Sequence, residues 1–484
     1  MKRALILVTL LASACTTMEP KYVRPDPAIP ASWPVGDPYL VQAEVGLPVL
    51  TYQEVFKDPR LQALIGEALA NNRDLMVAAS NIAAAREQYR IQRAQQLPTV
   101  NSSAGVSVSG DKSSDVSAQY TAGVSVPSFE IDLFGRVRSL THVQLERYLA
   151  SEAGARATRL ALVADVAGAW LDYAADSSLL RISQETAASA QKSVNLTRAR
   201  LEGGVAPRTD LRQAEQILDV AQADLARQRT AVAQDVNALQ LLVGAPIDPK
   251  LLSASIDEAF GHVAPVPAGL DSYVLLRRPD VLQAEYQLRA ANAQIGAARA
   301  ALFPRISLTG LLGFASSALV KLFTGGAFGW SAGANAGYTI FQGGAGHANV
   351  RLSEAQRSAA VATYQHTVQT AFREVADALA RRGTMNDEIA ARERQQLATA
   401  DTYTLTEARY RAGIDPFLTV LDAQRSYYAA QQQIVQIKLT AARNIVTTYQ
   451  TIGGDASLQS TPVCQPLPGD RVVAGPTTDL CSPS

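Results

Sequence analysis

Leu196-Thr-Arg-Ala-Arg-Leu-Glu-Gly-Gly-Val-Ala-Pro207 and Leu405-Thr-Glu-Ala-Arg-Tyr-Arg-Ala-Gly-Ile-Asp-Pro416 are two versions of one phrase, set 209 residues apart. Upstream, Asn72-Arg73-Asp74 opens a helical stretch that ends at Leu97-Pro98, and Arg277-Arg278-Pro279-Asp280 opens one that ends at Phe303-Pro304. Asp280 minus Asp74 and Pro304 minus Pro98 both give 206. An offset that drifts by three residues over most of the chain marks a tandem structural duplication, with a unit too long for a solenoid repeat. Each copy reads helix, two strands, very long helix, turn, long helix.

The strands follow the prolines. Ala104, Val106 and Val108 alternate with Ser103, Gly105, Ser107 and Ser109; Tyr120, Ala122, Val124 and Val126 alternate with Thr121, Gly123 and Ser125. This period of two predicts a hairpin over 99–130. In the second copy, over 305–341, Ile306, Leu308, Gly310, Leu312 and Phe314 share one face. Phe328, Trp330, Ala332, Ala334, Ala336, Tyr338 and Ile340 share another, opposite Ser331, Asn335 and Thr339. Leu322 to Gly346 carries no charge and is long enough for a membrane helix. Eight of those residues are glycine, each costing about 1 kcal/mol in a helix, and the alternation is that of a membrane β-barrel strand. A soluble hairpin wet on one face is the competing reading.

Arg136 to Glu202 is free of proline, and Ala348 to Ala412 holds one glycine. As continuous helices they would be on the order of 100 Å long, and such helices need partners along their sides. The segments after the turns supply them. Leu211, Ala214, Leu218, Ala221 and Leu225, and Val420, Ala423, Tyr427, Ala430, Ile434, Ile437 and Ala441, fall at coiled-coil steps. Two helical hairpins are expected, 136–243 and 344–453. Gly203-Gly204 and Gly413 end the long helices, and Asp415 is the expected N-cap before a first helical residue Pro416.

Met1-Lys2-Arg3, the apolar Ala4–Leu11 and then Ala12-Ser13-Ala14-Cys15 form an export signal. It reads as a lipoprotein signal cleaved before Cys15, which would carry lipid; an ordinary secretory signal is the alternative. Residues 15–57, rich in proline to about residue 50, read as an extended tether. Cys464 and Cys481 stand in a Pro/Ser/Gly-rich tail, 455–484, where an exported protein could pair them in a disulfide or leave two free thiols. The domain reading is therefore a signal 1–14, a tether 15–57, repeats 58–270 and 271–454, and the tail.

Net charge is zero, so nothing points to nucleic acid. The four histidines are scattered without metal-ligand spacing. Gly344-Ala-Gly346 lacks the third glycine of a phosphate loop and reads as a strand-to-helix corner. No nucleophile motif is present, so no enzyme, metal or cofactor is expected.

Glu130-Ile-Asp-Leu-Phe-Gly-Arg-Val-Arg-Ser139, Leu276-Arg-Arg-Pro-Asp-Val281, the Phe-Pro before the third strand, Ala408-Arg-Tyr-Arg-Ala-Gly413 and Val420-Leu-Asp422 resemble the outer-membrane factor family, the TolC-like channels, in its lipoprotein branch. The resemblance covers about residues 20–455. It implies a mixed α/β membrane protein: a homotrimer in which four strands per chain build a twelve-stranded barrel, continued by an α-helical periplasmic barrel. It implies an exit duct for drugs or other small molecules, with a periplasmic adaptor, a proton-driven inner-membrane transporter and outer-membrane lipid as partners. By the same resemblance, Asp422 and Leu418 form a periplasmic constriction, and Tyr410 ties the second hairpin to the first with Asp210 as its partner. Gly204, Val205, Gly413 and Ile414 are the tips offered to the adaptor. Asp415 departs from the family, where some members carry a bracing arginine. The alternatives are a pore-less envelope lipoprotein with long coiled coils, or the outer-membrane component of a type I secretion system.

Overall fold

The computed structural model describes residues 17–30, 32–34, 39, 51–110, 117–263 and 272–453. The signal segment, Cys15, and the tail with Cys464 and Cys481 lie outside them.

After a single turn, α1 (Tyr52–Val55), two helices are separated at Asn72: α2 (Pro59–Asn71) and α3 (Arg73–Ala94). Asn72 cannot continue α2 because its side-chain oxygen caps α3, accepting from the amides of Asp74 and Leu75 at 2.9 and 3.2 Å. Strands β1 (Asn101–Ser109) and β2 (Ser117–Ile131) follow, then α4 (Arg136–Glu202), α5 (Arg208–Val243) and the short α6 (Ile256–Gly261). The second copy supplies α7 (Pro279–Ala300), β3 (Arg305–Ser316), β4 (Phe328–Gly337), α8 (Ala345–Arg411) and α9 (Phe417–Ile452).

The copies match residue for residue. Helix α7 begins and ends 206 positions after α3, and α8 and α9 begin and end 209 positions after α4 and α5. The three extra residues therefore lie in the second β-hairpin, before the left-handed corner glycines Gly135 and Gly344 (φ 74° and 82°). One anchor is duplicated as well. Asn72 Nδ2 donates to the carbonyl of Leu242 at 2.8 Å, and its counterpart Arg278 donates through Nη1 to that of Thr451 at 2.9 Å.

Packing divides the chain across the repeats rather than between them. One compact unit is Met1–Ala28, Ser80–Ala153 and Asp280–Thr367; the other is Ile29–Ala79, Gly154–Pro279 and Val368–Ser484. Each unit draws on both copies.

The first unit holds an antiparallel sheet in the order β1-β2-β3-β4. Its register sorts the side chains by face. Ser102, Val124, Leu312 and Trp330 form one cross-strand row, and Ala104, Ala122, Phe314 and Phe328 the next on the same face. Between them, Ser103, Gly123, Gly313 and Gly329 point the other way. One face is thus mainly apolar across all four strands, broken by Ser102 and Ser316, and the other is mainly hydroxyl, amide and glycine, broken by Leu311, Ala315 and the charged Glu130 and Arg305. Pro127, which has no N–H to give, lies in the bulge between Val126 and Phe129 that keeps both on the apolar face. Strand β4 stops at Gly337, so Tyr338 and Ile340 do not extend its face as the alternation predicts. Arg305↔Gly337 is the last pair, and Pro304, lacking an amide, cannot extend β3. No helix of the described residues is long and apolar enough to cross a membrane.

The tether is not free at its start. Residues 17–30 form no helix or strand but are held: Asn292 donates to the Pro20 carbonyl at 2.8 Å, and His142 bridges Glu19 and Glu146 at 2.9 and 3.1 Å. Arg24 grips the buried Glu285 through two nitrogens at 3.1 and 2.7 Å. Compositional bias toward proline signals an extended chain, but it carries no information on whether the chain is docked.

Candidate gate at the helical hairpin tips

The two hairpin turns close in the same way. Gly204 and Gly413 take φ 75° and 74°, where a side chain would be strained. The Val205 amide reaches back to the Arg200 carbonyl and that of Ile414 to Arg409, each at 2.9 Å. These six-residue closures satisfy the last carbonyls of the long helices. They leave Val205 and Ile414 exposed at the tips, 67% and 63%. Pro207 and Pro416 occupy the N-cap positions of α5 and α9, with no side-chain cap bond. Asp415 is therefore not a cap. Its carboxylate is taken by Arg409 through Nε and Nη2 at 2.6 and 2.9 Å, a forked pair that closes the turn on itself. Arg409 holds the Asp415 carboxyl below its usual range.

The hairpins meet in a small core. Val194 of α4, Ala214 of α5, Tyr410 of α8 and Phe417, Val420 and Leu421 of α9 are buried together, with Leu211, Ile217, Leu218 and Tyr403 packed around them. The second seam is the more deeply buried: Ala430, Ile434, Ile437 and Ala441 are also inside.

Tyr410 ties the second hairpin to the first, but through Arg200. The guanidinium lies over its ring and bonds its main-chain oxygen. Tyr410 Oη has no hydrogen-bond partner among the described residues, so no hydrogen bond joins it to Asp210. Burial pushes the hydroxyl's pKa up, opposed by the Arg200 charge and reinforced by Asp210 nearby. Further contacts between the hairpins run through Tyr403 to Ser189 at 3.1 Å, and through Tyr428 to Ser183 at 3.2 Å and Asp224 at 3.4 Å. Arg443 of α9 pairs with Asp172 of α4. Sequence reasoning passed over Arg200, Arg409 and these tyrosines.

Leu418 and Asp422, one turn apart on α9, share an exposed face. Asp422 lines a groove of about 420 Å³ with Thr399, Thr402, Thr406 and Thr419. The first three hydroxyls bond carbonyls of their own helix, which leaves Asp422 as the charged group of that lining. The counterparts in the first copy, at an offset of 209, are Thr209 and Gln213. The apolar-plus-acidic pair therefore belongs to the second hairpin alone. That asymmetry between aligned copies is a signal the sequence carries.

The family described as outer membrane efflux protein matches residues 64–245 and 271–454, one stretch in each copy. The chain belongs to the outer membrane efflux protein family. It is 41% identical over 462 residues to a probable efflux pump outer membrane protein, TtgC of Pseudomonas putida, covering 93% of this chain and 95% of that one. The outer membrane protein OprJ of Pseudomonas aeruginosa is 38% identical over 456 residues, with coverage of 93% and 95%. Among solved structures, a membrane protein of Pseudomonas aeruginosa superposes with a TM-score of 0.84 at 37% identity, covering 90% of this chain and all of that one. The open state of the MtrE outer membrane channel of Neisseria gonorrhoeae gives 0.82 at 34%, with coverage of 91% and 98%. The efflux-family fold, a strand sheet continued by long helical hairpins, is thus the mixed α/β fold of outer-membrane channels.

Proposed function

We propose that three copies of this chain form the exit duct of a tripartite efflux system. The observation that carries this reading is the sheet. It has one mainly apolar face, and the outer edges of β1 and β4 pair with no strand among the described residues. Four strands cannot close on themselves, and open edges are not tolerated in lipid. Pairing β4 of one copy with β1 of the next in a closed trimer gives twelve strands, apolar outward and polar inward. The connections at about 110–117 and 316–327 then face outside the cell; residues 111–116 lie outside the described ones.

In this reading Cys15 is the lipidated N-terminus, and the tips at Gly204, Val205, Gly413 and Ile414 meet a periplasmic adaptor. A proton-driven inner-membrane transporter supplies the energy. The chain does no chemistry; it supplies a polar path for drugs or other small molecules and a gate at Leu418 and Asp422. Purified protein should run at three times the 51.5 kDa chain mass and give discrete conductance steps in planar bilayers. A monodisperse protein that never conducts would instead favour a pore-less envelope spacer. Accumulation of a secreted protein, with drug susceptibility unchanged, in a deletion strain would favour the secretion role.

A further inference from the structure

The polar face of the sheet is almost without charge. Across its four strands the charged residues are Glu130 and Arg305. Both lie on that face: Glu130 pairs with Ser307, and Arg305 stands two residues before Ser307, on the same side of the pleat. They differ in how they are partnered. Glu130 is neutralised by Arg136, which donates from Nε and Nη2 at 2.9 and 2.7 Å. Its neighbour Asp132 is likewise engaged by Arg138. Arg305 is exposed, makes no ion pair or side-chain hydrogen bond to the described residues, and stands opposite Gly337, whose missing side chain leaves the guanidinium room. The corresponding position of the first copy, 206 residues earlier, is Thr99, so the charge occurs once per chain.

We propose that Arg305 is a selectivity-determining residue of the duct: a ring of three unpaired guanidiniums at the inner end of the barrel that favours anions and engages solutes bearing a carboxylate or phosphate. This rests on the trimeric duct reading above. Around an otherwise neutral lumen, three like charges raise the local anion concentration. A guanidinium offers a forked donor set that fits carboxylate and phosphate oxygens. With no carboxylate committed to it, Arg305 is available to a passing solute.

The test is the reversal potential of single channels in a potassium chloride gradient, with inorganic pyrophosphate as a blocking probe. Arg305→Gln should lower the chloride-to-potassium permeability ratio on the order of fivefold and weaken the pyrophosphate block. Arg305→Lys, which keeps the charge, should hold the permeability ratio near wild type. Because the side chain is exposed and makes no ion pair or hydrogen bond to the described residues, both variants should melt close to the wild type. Channels that conduct, but whose selectivity and block are the same in wild type and Arg305→Gln, overturn the ring and leave the duct intact. Loss of selectivity in Arg305→Lys equal to that in Arg305→Gln also overturns it. A wild-type protein that forms no channels removes the duct and the ring together.

Discussion

The guanidinium of Arg200 lies 4.7 Å from the centre of the Tyr410 ring and donates to that residue's own main-chain oxygen at 3.2 Å. One side chain of the first helical hairpin therefore holds both the ring and the backbone of the second, beside a buried apolar cluster. Any outward swing of the second hairpin has to break this contact.

The hydroxyl of Tyr410 is not part of that tie. Tyr410→Phe should leave stability and conductance close to wild type, since it removes a buried oxygen that bonds nothing. Tyr410→Ala removes the ring, and truncations of buried aromatics cost about 3 kcal/mol or more. Arg200→Ala should cost about 1 kcal/mol for the lost stacking; it and Tyr410→Ala should both raise single-channel conductance. Asp210→Asn should change nothing. If Tyr410→Phe and Asp210→Asn leak as much as Arg200→Ala, the hydroxyl and Asp210 are the tie after all.

Leu418 and Asp422 project together from an exposed face of α9. In a trimer the three carboxylates would favour cations and disfavour anions at the constriction. Asp422→Ala should raise conductance modestly and weaken the preference for cations there. Adding Leu418→Ala should open the path further and sensitise cells to a large antibiotic such as vancomycin. Conductance and ion selectivity matching the wild type in both variants would place the constriction elsewhere.

Asp176 of α4 and Asp235 of α5 meet at hydrogen-bonding range, with Asp172 and Arg443 beside them. Burial, then the neighbouring carboxylates of Asp176 and Asp172, push the Asp235 carboxyl from an ordinary 3.8 up to about 7. The folded protein thus binds a proton there that the unfolded chain has released. This contribution to stability is present below the ordinary value and is lost as pH rises through about 7. Asp235→Asn, which cannot ionise, should melt higher than the wild type in alkaline buffer, with the gap closing as the buffer is acidified toward the ordinary carboxyl range. A melting difference independent of pH would show that Asp235 is ionised throughout.

Cys15 follows directly on Ala12-Ser13-Ala14. Cys15→Ser should abolish labelling of the protein by radioactive fatty acid. Insertion of the barrel should persist, since a single acyl chain gives only marginal membrane binding. Continued labelling of the serine variant would end the lipoprotein reading.

The fold was legible because its signals are long. Sixty-seven-residue helices without proline, seams at steps of three and four, and glycines at the turns leave little freedom in placing α4, α5, α8 and α9. The strands were legible as alternation, but the end of β4 depended on where its partner stopped, a pairing fact rather than a local one. The tips were partly readable. Glycine announced the left-handed turns, whereas Asp415 looked like a cap because Asp before Pro usually is one. What diverted it was Arg409, six residues away, and a single-residue preference does not weigh such a competitor. The contact of Tyr410 with Arg200 is hidden for the same reason: an unpartnered buried hydroxyl and an arginine over a ring leave no trace in spacing.

Arg200 and Arg409 are the same residue of the ancestral unit, 209 positions apart. In the second copy Asp415 keeps the arginine at home, folded onto its own turn. In the first copy that place is Ala206, and the released arginine crosses to the neighbouring hairpin. Doubling the unit thus allowed a division of labour that a single copy could not have: one hairpin stiffens itself and the other becomes its keeper. A difference of one carboxylate is enough to give the two arginines different partners. Ala206→Asp would offer Arg200 a partner on its own turn and would loosen its hold on the neighbouring hairpin.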